Sequence, residues 1–373
     1  MRQISSESSS RGRVTRRAVV VGPVAATLLA AVGCSSPSRQ ASAQPTAAQA
    51  APTVGSRKVA ITFPGPGIVF IPLEVAIDKG FFAQQGINID ASYSRGGPQV
   101  IAAIRSKSVD FIGTTIDLEL SSYKQSGEKP LTMVTSLTRV PPFAIVGGSG
   151  INSLAQLAGK TFGVFGLGSG DEVIAKYLIS HAGTNVSKVK FVPLGADDAK
   201  IAALIKGDVA AVVVGEPART ILAKRGMPVL VNLFDPRQAK KLLGGGYQFT
   251  GLVTRPDVIA QKADLVQQMV NATIAGCVFT AKNDGKAITA ALKDAAIIGG
   301  SRAQYAAVMQ NIKTGLFSPD GRIYAAEVDR VKQLQHDSGV LPAAAADLDP
   351  KTLWTNQFVD HYYQATKNKG SAR

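Results

Sequence analysis

A short β-branched segment that runs into a glycine-rich turn, followed by apolar residues at helical spacing, leaves a chain few ways to fold. The clearest copy here is Gly159–Glu172, GKTFGVFGLGSGDE. Thr161–Phe165 reads as a strand, glycines follow at 166, 168 and 170, and Asp171–Ser180 has helical periodicity, so a helix starts within a residue or two of Ser169. The first N–H groups of a helix lack partners within it and the dipole is positive there, so this end suits a carboxylate, sulfonate or phosphate. Two sharper readings fail: a dinucleotide fingerprint has glycine where Asp171 stands, and a P-loop has a lysine that Gly168-Ser169 lacks. A strand-to-helix turn that binds nothing has the same letters, so the rest of the chain must decide.

The pattern recurs. Lys58–Phe63 reads as a strand ended by Pro64-Gly65-Pro66-Gly67, and Ile71–Ala83 as a helix with Pro72 in its first turn. Ile87–Tyr93 is a second strand, with Gly96-Gly97-Pro98 opening a helix that runs to Arg105. Val109–Gly113 is a third strand leading into Thr114-Thr115, and Leu131–Leu137 a fourth. Strands alternating with helices indicate an α/β fold with a mainly parallel sheet covered on both faces. An internal echo, AAIRSKSVDFI from Ala102 and AALIKGDVAAV from Ala202, points to two related lobes. Arg139-Val-Pro-Pro-Phe143 suits a stiff crossing between them, and Gly244–Thr254 a return crossing whose strand pairs back into the first lobe. After Arg255-Pro256 the pattern is almost wholly helical, giving a terminal block on the first lobe. Ligands of open α/β sheets bind beyond the carboxyl ends of strands, which here is where the glycine turns lie.

The N-terminus is separate. Arg16-Arg17 precedes an uncharged run from Ala18 to Val32 that is too short, and too interrupted by Gly22-Pro23, for a membrane span, and the whole reads as an export signal. Thr15–Val20 resembles a twin-arginine signal without its usual aromatic and lysine, so Sec and Tat export both stay open. Ala31-Val-Gly-Cys34 resembles a bacterial lipobox, which makes Cys34 the expected lipid attachment site and residues 35–56 a flexible tether. The expected organisation is signal peptide 1–33, tether 34–56, first lobe 57–140, second lobe 141–249, and return with C-terminal helices 250–373. The only other cysteine is Cys277, so no disulfide framework exists, and His181, His336 and His361 are scattered without metal-ligand spacing. The formal charge of +15 falls to +11 once the five arginines and one glutamate of residues 1–33 are removed. Export and the spread of the lysines along helices argue against nucleic acid, and the charge reads as a solvated surface.

Several segments together resemble the substrate-binding proteins of ABC importers for sulfonates, taurine, nitrate and bicarbonate, including the binders of thiamine-precursor pyrimidines. They are PLEVAIDKGFFAQQGI from Pro72, Arg95-Gly-Gly-Pro98, Val109–Gly113, NSLAQLAGKTFGV from Asn152, IAALIKGDVAA from Ile201 and Gly215-Glu-Pro217. The resemblance spans Val59–Val359. It implies a two-lobed, periplasmic-binding-protein-like fold in a monomer that closes on a small anionic or zwitterionic solute and delivers it to permease and ATPase subunits. No cofactor, metal or catalysis is implied. Carried over by position, the ligand contacts are Pro64, Gly65, Gly96, Gly97, Thr114, Thr115, Gly168, Ser169 and Gly170. Arg139 is a candidate partner for an anionic head group, with solvent as its other resting place. Glu216 suits an amine or pyrimidine nitrogens, or else is a carboxylate paired with Arg219; the aromatic residues that flank this acid in sulfonate binders are missing. A sensor that hands its closed form to a receptor shares the same cleft. An enzyme on this scaffold would pair a nucleophile with a base, and no such pair is visible.

Overall fold

Among the described residues ten strands form two five-stranded sheets of one plan. The computed structural model describes residues 57–370 apart from 66, 95, 124–128 and 298–300, and the expected signal peptide, Cys34 and tether lie outside the described residues. The first sheet has the order β2-β1-β3-β10-β4, built from β1 (Arg57–Phe63), β2 (Ile87–Tyr93), β3 (Phe111–Thr115), β4 (Thr132–Ser136) and β10 (Thr250–Thr254). The second has the order β7-β6-β8-β5-β9, from β5 (Ala144–Gly147), β6 (Thr161–Val164), β7 (Lys190–Pro193), β8 (Ala211–Val214) and β9 (Val229–Asn232). In each sheet one strand is antiparallel to its neighbours: β10 against β3 and β4, and β5 against β8 and β9. Each is the strand that arrives from the other sheet. The internal echo maps onto equivalent places, because β3 and β8 both sit at the centre and both follow a helix, Gly97–Arg105 and Asp197–Lys206.

Three local expectations change. The helix foreseen over Ile71–Ala83 is interrupted at Gly80, whose φ of +72° is left-handed, and splits into Ile71–Asp78 and Phe81–Gln84. The third strand runs on through Thr115, because β10 pairs with Thr114 and Thr115 as well as with Phe111. The strand Ala144–Gly147 follows directly on the crossing segment, where only the prolines had drawn notice, and it makes the second sheet mixed.

The largest hydrophobic core is continuous from one sheet to the other. It joins Ile104, Ile112 and Ile116 of the first lobe to Phe162 and Ile174 of the second, through Tyr247 and Phe249 of the return crossing and Val328 and Val331 of the helix Ala325–Asp337. A second core covers the other face of the first sheet, where the helix Ala263–Lys282 packs Val266, Met269 and Val270 with Leu252 and Phe63. Cys277 is fully buried there. Among the described residues no helix is long and apolar enough to cross a membrane.

Candidate functional site

The carboxyl ends of β1, β2, β3 and β6 bring the turns of the two lobes against each other. A Cβ placed on Gly96 would stand 3.4 Å from the Phe165 ring, across the lobe boundary. Gly97 is a packing glycine, since its Cβ would meet the Leu118 side chain at 2.4 Å. Pro64 and Gly65 end β1 half-buried, beside Thr62, whose hydroxyl is 3.0 Å from that of Ser94. Tyr93 at the end of β2 keeps 41% of its surface exposed while its hydroxyl donates to Glu74 at 2.6 Å and its ring leans on Phe63. Burial raises the Glu74 carboxyl above the usual range, against the Tyr93 hydrogen bond.

Thr115 caps the helix Ile116–Ser122, its hydroxyl accepting from the Leu118 N–H at 3.3 Å. Thr114 is completely buried, and its hydroxyl oxygen has no hydrogen-bond partner among the described residues. Three residues on, Asp117 is completely buried and accepts from the Leu118 N–H at 2.8 Å and from the Tyr247 hydroxyl at 3.4 Å. Burial pushes the Asp117 carboxyl up to about 6, against the bonds from Thr115, Leu118 and Tyr247, and the charge of Asp171 adds to the rise.

The helix Gly170–His181 starts one residue after Ser169, as its sequence predicts, but its start is already furnished with carboxylates. Asp171 accepts from the Phe165 N–H at 2.8 Å and the Glu172 N–H at 3.0 Å, and Glu172 accepts from the Gly168 N–H at 2.5 Å. The Ser169 hydroxyl lies between the Gly166 carbonyl and Asp171. The positive helix end therefore serves its own first-turn acids, and an incoming anion meets their negative charge. Lys200 lies 3.6 Å from Asp171 and Lys176 2.9 Å from Glu172, but Lys200 is shared with Asp197 at 2.8 Å. Gly168 has φ +79° with nothing near its Cβ position, so the turn needs its left-handed backbone. Gly170 answers a different need, because a Cβ there would stand 2.8 Å from Asp117 and 3.3 Å from Phe249. It is the point where the second lobe touches the first.

Two of the expected contacts are engaged elsewhere. Arg139 forms an ion pair with Glu327, with Nε 3.1 Å from both carboxylate oxygens, and its guanidinium stacks on Tyr324 at 4.4 Å. Glu216 is buried and accepts from Arg219 Nε at 2.7 Å, from the Thr220 hydroxyl at 3.1 Å and from the Thr220 N–H at 3.2 Å. That is the Arg219-paired arrangement, with both carboxylate oxygens in use. Asp117, Phe165, Tyr93 and Glu74 are not among the site residues that the sequence points to. Asp117, Asp171 and Glu172 stand in first turns of helices, where acids read as ordinary dipole complements, so their gathering at one contact is visible only in three dimensions. A separate groove at the opposite, amino ends of β1 and β3 is lined by Lys58, Lys107 and Lys262, each paired with an aspartate.

A family described as NMT1/THI5 like matches residues 68–287. The riboflavin-binding protein RibY of Chloroflexus aurantiacus is 25% identical over 365 residues, covering 92% of this chain and 97% of RibY. A solved structure from Bordetella bronchiseptica RB50 superposes with a TM-score of 0.75 at 22% identity, over 84% of this chain and 99% of that one. The alkanesulfonate-binding protein SsuA of Xanthomonas axonopodis pv. citri, bound to MOPS, gives 0.58 at 18% identity, over 80% and 99%. At these identities the two structures show the fold, which is that of the periplasmic binding proteins.

Proposed function

The chain belongs to the NMT1/THI5-like family, and on that premise we propose that it is the solute-binding component of an ABC importer, holding a small molecule between two lobes that close on it. The observation that carries this reading is the meeting of strand-end turns from both sheets, Gly96 against Phe165 and Asp117 against Gly170. The likeness to RibY along nearly the whole chain supports it.

The ligand class follows from the charges. Asp117, Asp171, Glu172 and Glu74 crowd these turns, and hydrogen-bond acceptors of this kind select donors and repel anions. Tyr93 and Leu167, at 41% and 55% exposure, are two of the four large apolar side chains left exposed among the described residues, and both flank the turns. We read the ligand as a flat, neutral or cationic molecule with N–H or O–H groups on its edge, such as a pyrimidine or a flavin. A sulfonate is the second reading, supported by the fold shared with SsuA. Thermal-shift screening of residues 35–373 separates them: pyrimidines or riboflavin are expected to raise the melting temperature while alkanesulfonates, nitrate and bicarbonate leave it unchanged. Stabilisation by the anions alone would reverse the assignment.

The proposal includes export and lipid anchoring at Cys34, with residues 35–56 as the tether. The small residues before Cys34 and the uncharged run before them support it. Cys34→Ala is expected to move the protein from the membrane to the soluble fraction; a variant with its signal removed that still pellets with membranes would refute the anchor.

A further inference from the structure

Asp117 lies where the lobes meet. It is completely buried on the first lobe, and the second lobe's Gly170 approaches so closely that a Cβ there would stand 2.8 Å from its carboxylate. The groups that face it can be named. From its own helix come the Thr115 hydroxyl and the Leu118 N–H, while the buried Glu119 carboxyl is raised by its own burial and opposed by the charge of Arg105. From the return crossing comes the Tyr247 hydroxyl at 3.4 Å, and from the helix Ala325–Asp337 comes the Gln335 amide, which donates to the Asp117 backbone carbonyl at 2.7 Å. From the second lobe comes the negative charge of Asp171. The nearby lysines are engaged by other acids, Lys200 by Asp171 and Asp197 and Lys176 by Glu172, and among the described residues Asp117 has no ion pair. A buried carboxylate facing a second carboxylate, with hydroxyl and amide neighbours only, is held more easily with a proton than without one.

We propose that closing the lobes draws a proton onto Asp117, so that the closed form is favoured as pH falls. This rests on the reading of the cleft as one that opens and closes. In the open form water reaches Asp117 and the Asp171 charge recedes, so its carboxyl returns toward the ordinary aspartate value of about 3.9. In the closed form it titrates at about 6. Between those values the closed form binds more protons than the open one. Acidification therefore promotes closure, and the effect disappears above the closed-form value, where both forms are ionised. The closed-to-open ratio is expected to rise about tenfold from pH 7 to pH 5 and to level off at roughly a hundredfold below the ordinary aspartate value.

The test needs no ligand. Dyes attached through Ser106→Cys and Ser187→Cys, exposed positions on opposite lobes, report the interlobe distance in residues 35–373 by single-molecule energy transfer; Cys277 is buried. The parent should show two populations whose ratio shifts toward the short distance as pH falls from 7.5 to 4.5. Asp117→Asn, neutral at every pH, should hold the ratio high and flat. Asp171→Asn, which keeps Asp117 but removes the facing charge, should reduce the slope without abolishing it, and it serves if the first variant does not fold. Two populations whose ratio ignores pH, or a slope that persists in Asp117→Asn, would overturn the proton link and leave the opening cleft standing. A single distance at all pH values would overturn both.

Discussion

Arg139 shows how far a side chain's role depends on what the fold brings to it. In the sequence it is a lone cation beside two prolines, open to an anionic ligand or to solvent; in the structure Glu327, nearly two hundred positions away, claims it. Arg139→Ala leaves the Glu327 carboxylate, 8% exposed, without its cation. The expected cost is about 1–3 kcal/mol, less than for a fully buried pair because the arginine side chain is 34% exposed. Urea denaturation measures it, and affinity for a confirmed ligand should stay within about twofold. A large loss of affinity at unchanged stability would return Arg139 to the cleft. Ser169, Gly168 and Gly170 were legible as a turn at a helix start, because glycine and helical periodicity are local signals. That Gly170 is small for the sake of Asp117 and Phe249 was not, since those partners come from distant stretches of chain.

At the level of elements, legibility followed the same division. Ile87–Tyr93 and the helix ending at Arg105 stand where the sequence puts them, because each is bounded by glycine and built from a consistent period. Ala144–Gly147 is four residues long and fully buried, so it shows no alternation to read. The helix Ala325–Asp337 was read only as part of a terminal helical block, yet three of its side chains reach the lobe junction. Glu327 holds Arg139 of the first crossing, Arg330 donates to Gly246 of the second at 3.1 Å and to Leu243 just before it at 3.3 Å, and Gln335 holds Asp117. At about 3.6 residues per turn these positions spread over about 140° of the helix, overlapping the arc on which Val328, Val331 and Leu334 are buried, so the polar contacts are set into the apolar face. Periodicity marks the buried face but not which polar residues on it meet partners from distant stretches of chain, so Glu327, Arg330 and Gln335 gave no sequence signal.

For the molecule as a whole, the second sheet is complete in one continuous stretch of chain, β5 to β9, whereas the first is not. The first sheet waits for β10, which inserts between β3 and β4 only after the entire second sheet has been made, with Thr250 pairing to Thr115. Residues 35–249 therefore contain β1 to β9 but lack the strand that joins β4 to its sheet. Limited proteolysis of that fragment should leave the second sheet protected and digest residues 57–136; protection of both would show that the first sheet closes without β10. In the order of synthesis, the lobe that leaves the ribosome first is the last to be finished. Until the final third of the chain has emerged, β3 presents an unpaired edge, and long-range pairing of this kind is slow. For a chain translocated unfolded that delay preserves competence for export, while for a chain translocated folded it is a period in which the unpaired edge must be shielded from other chains.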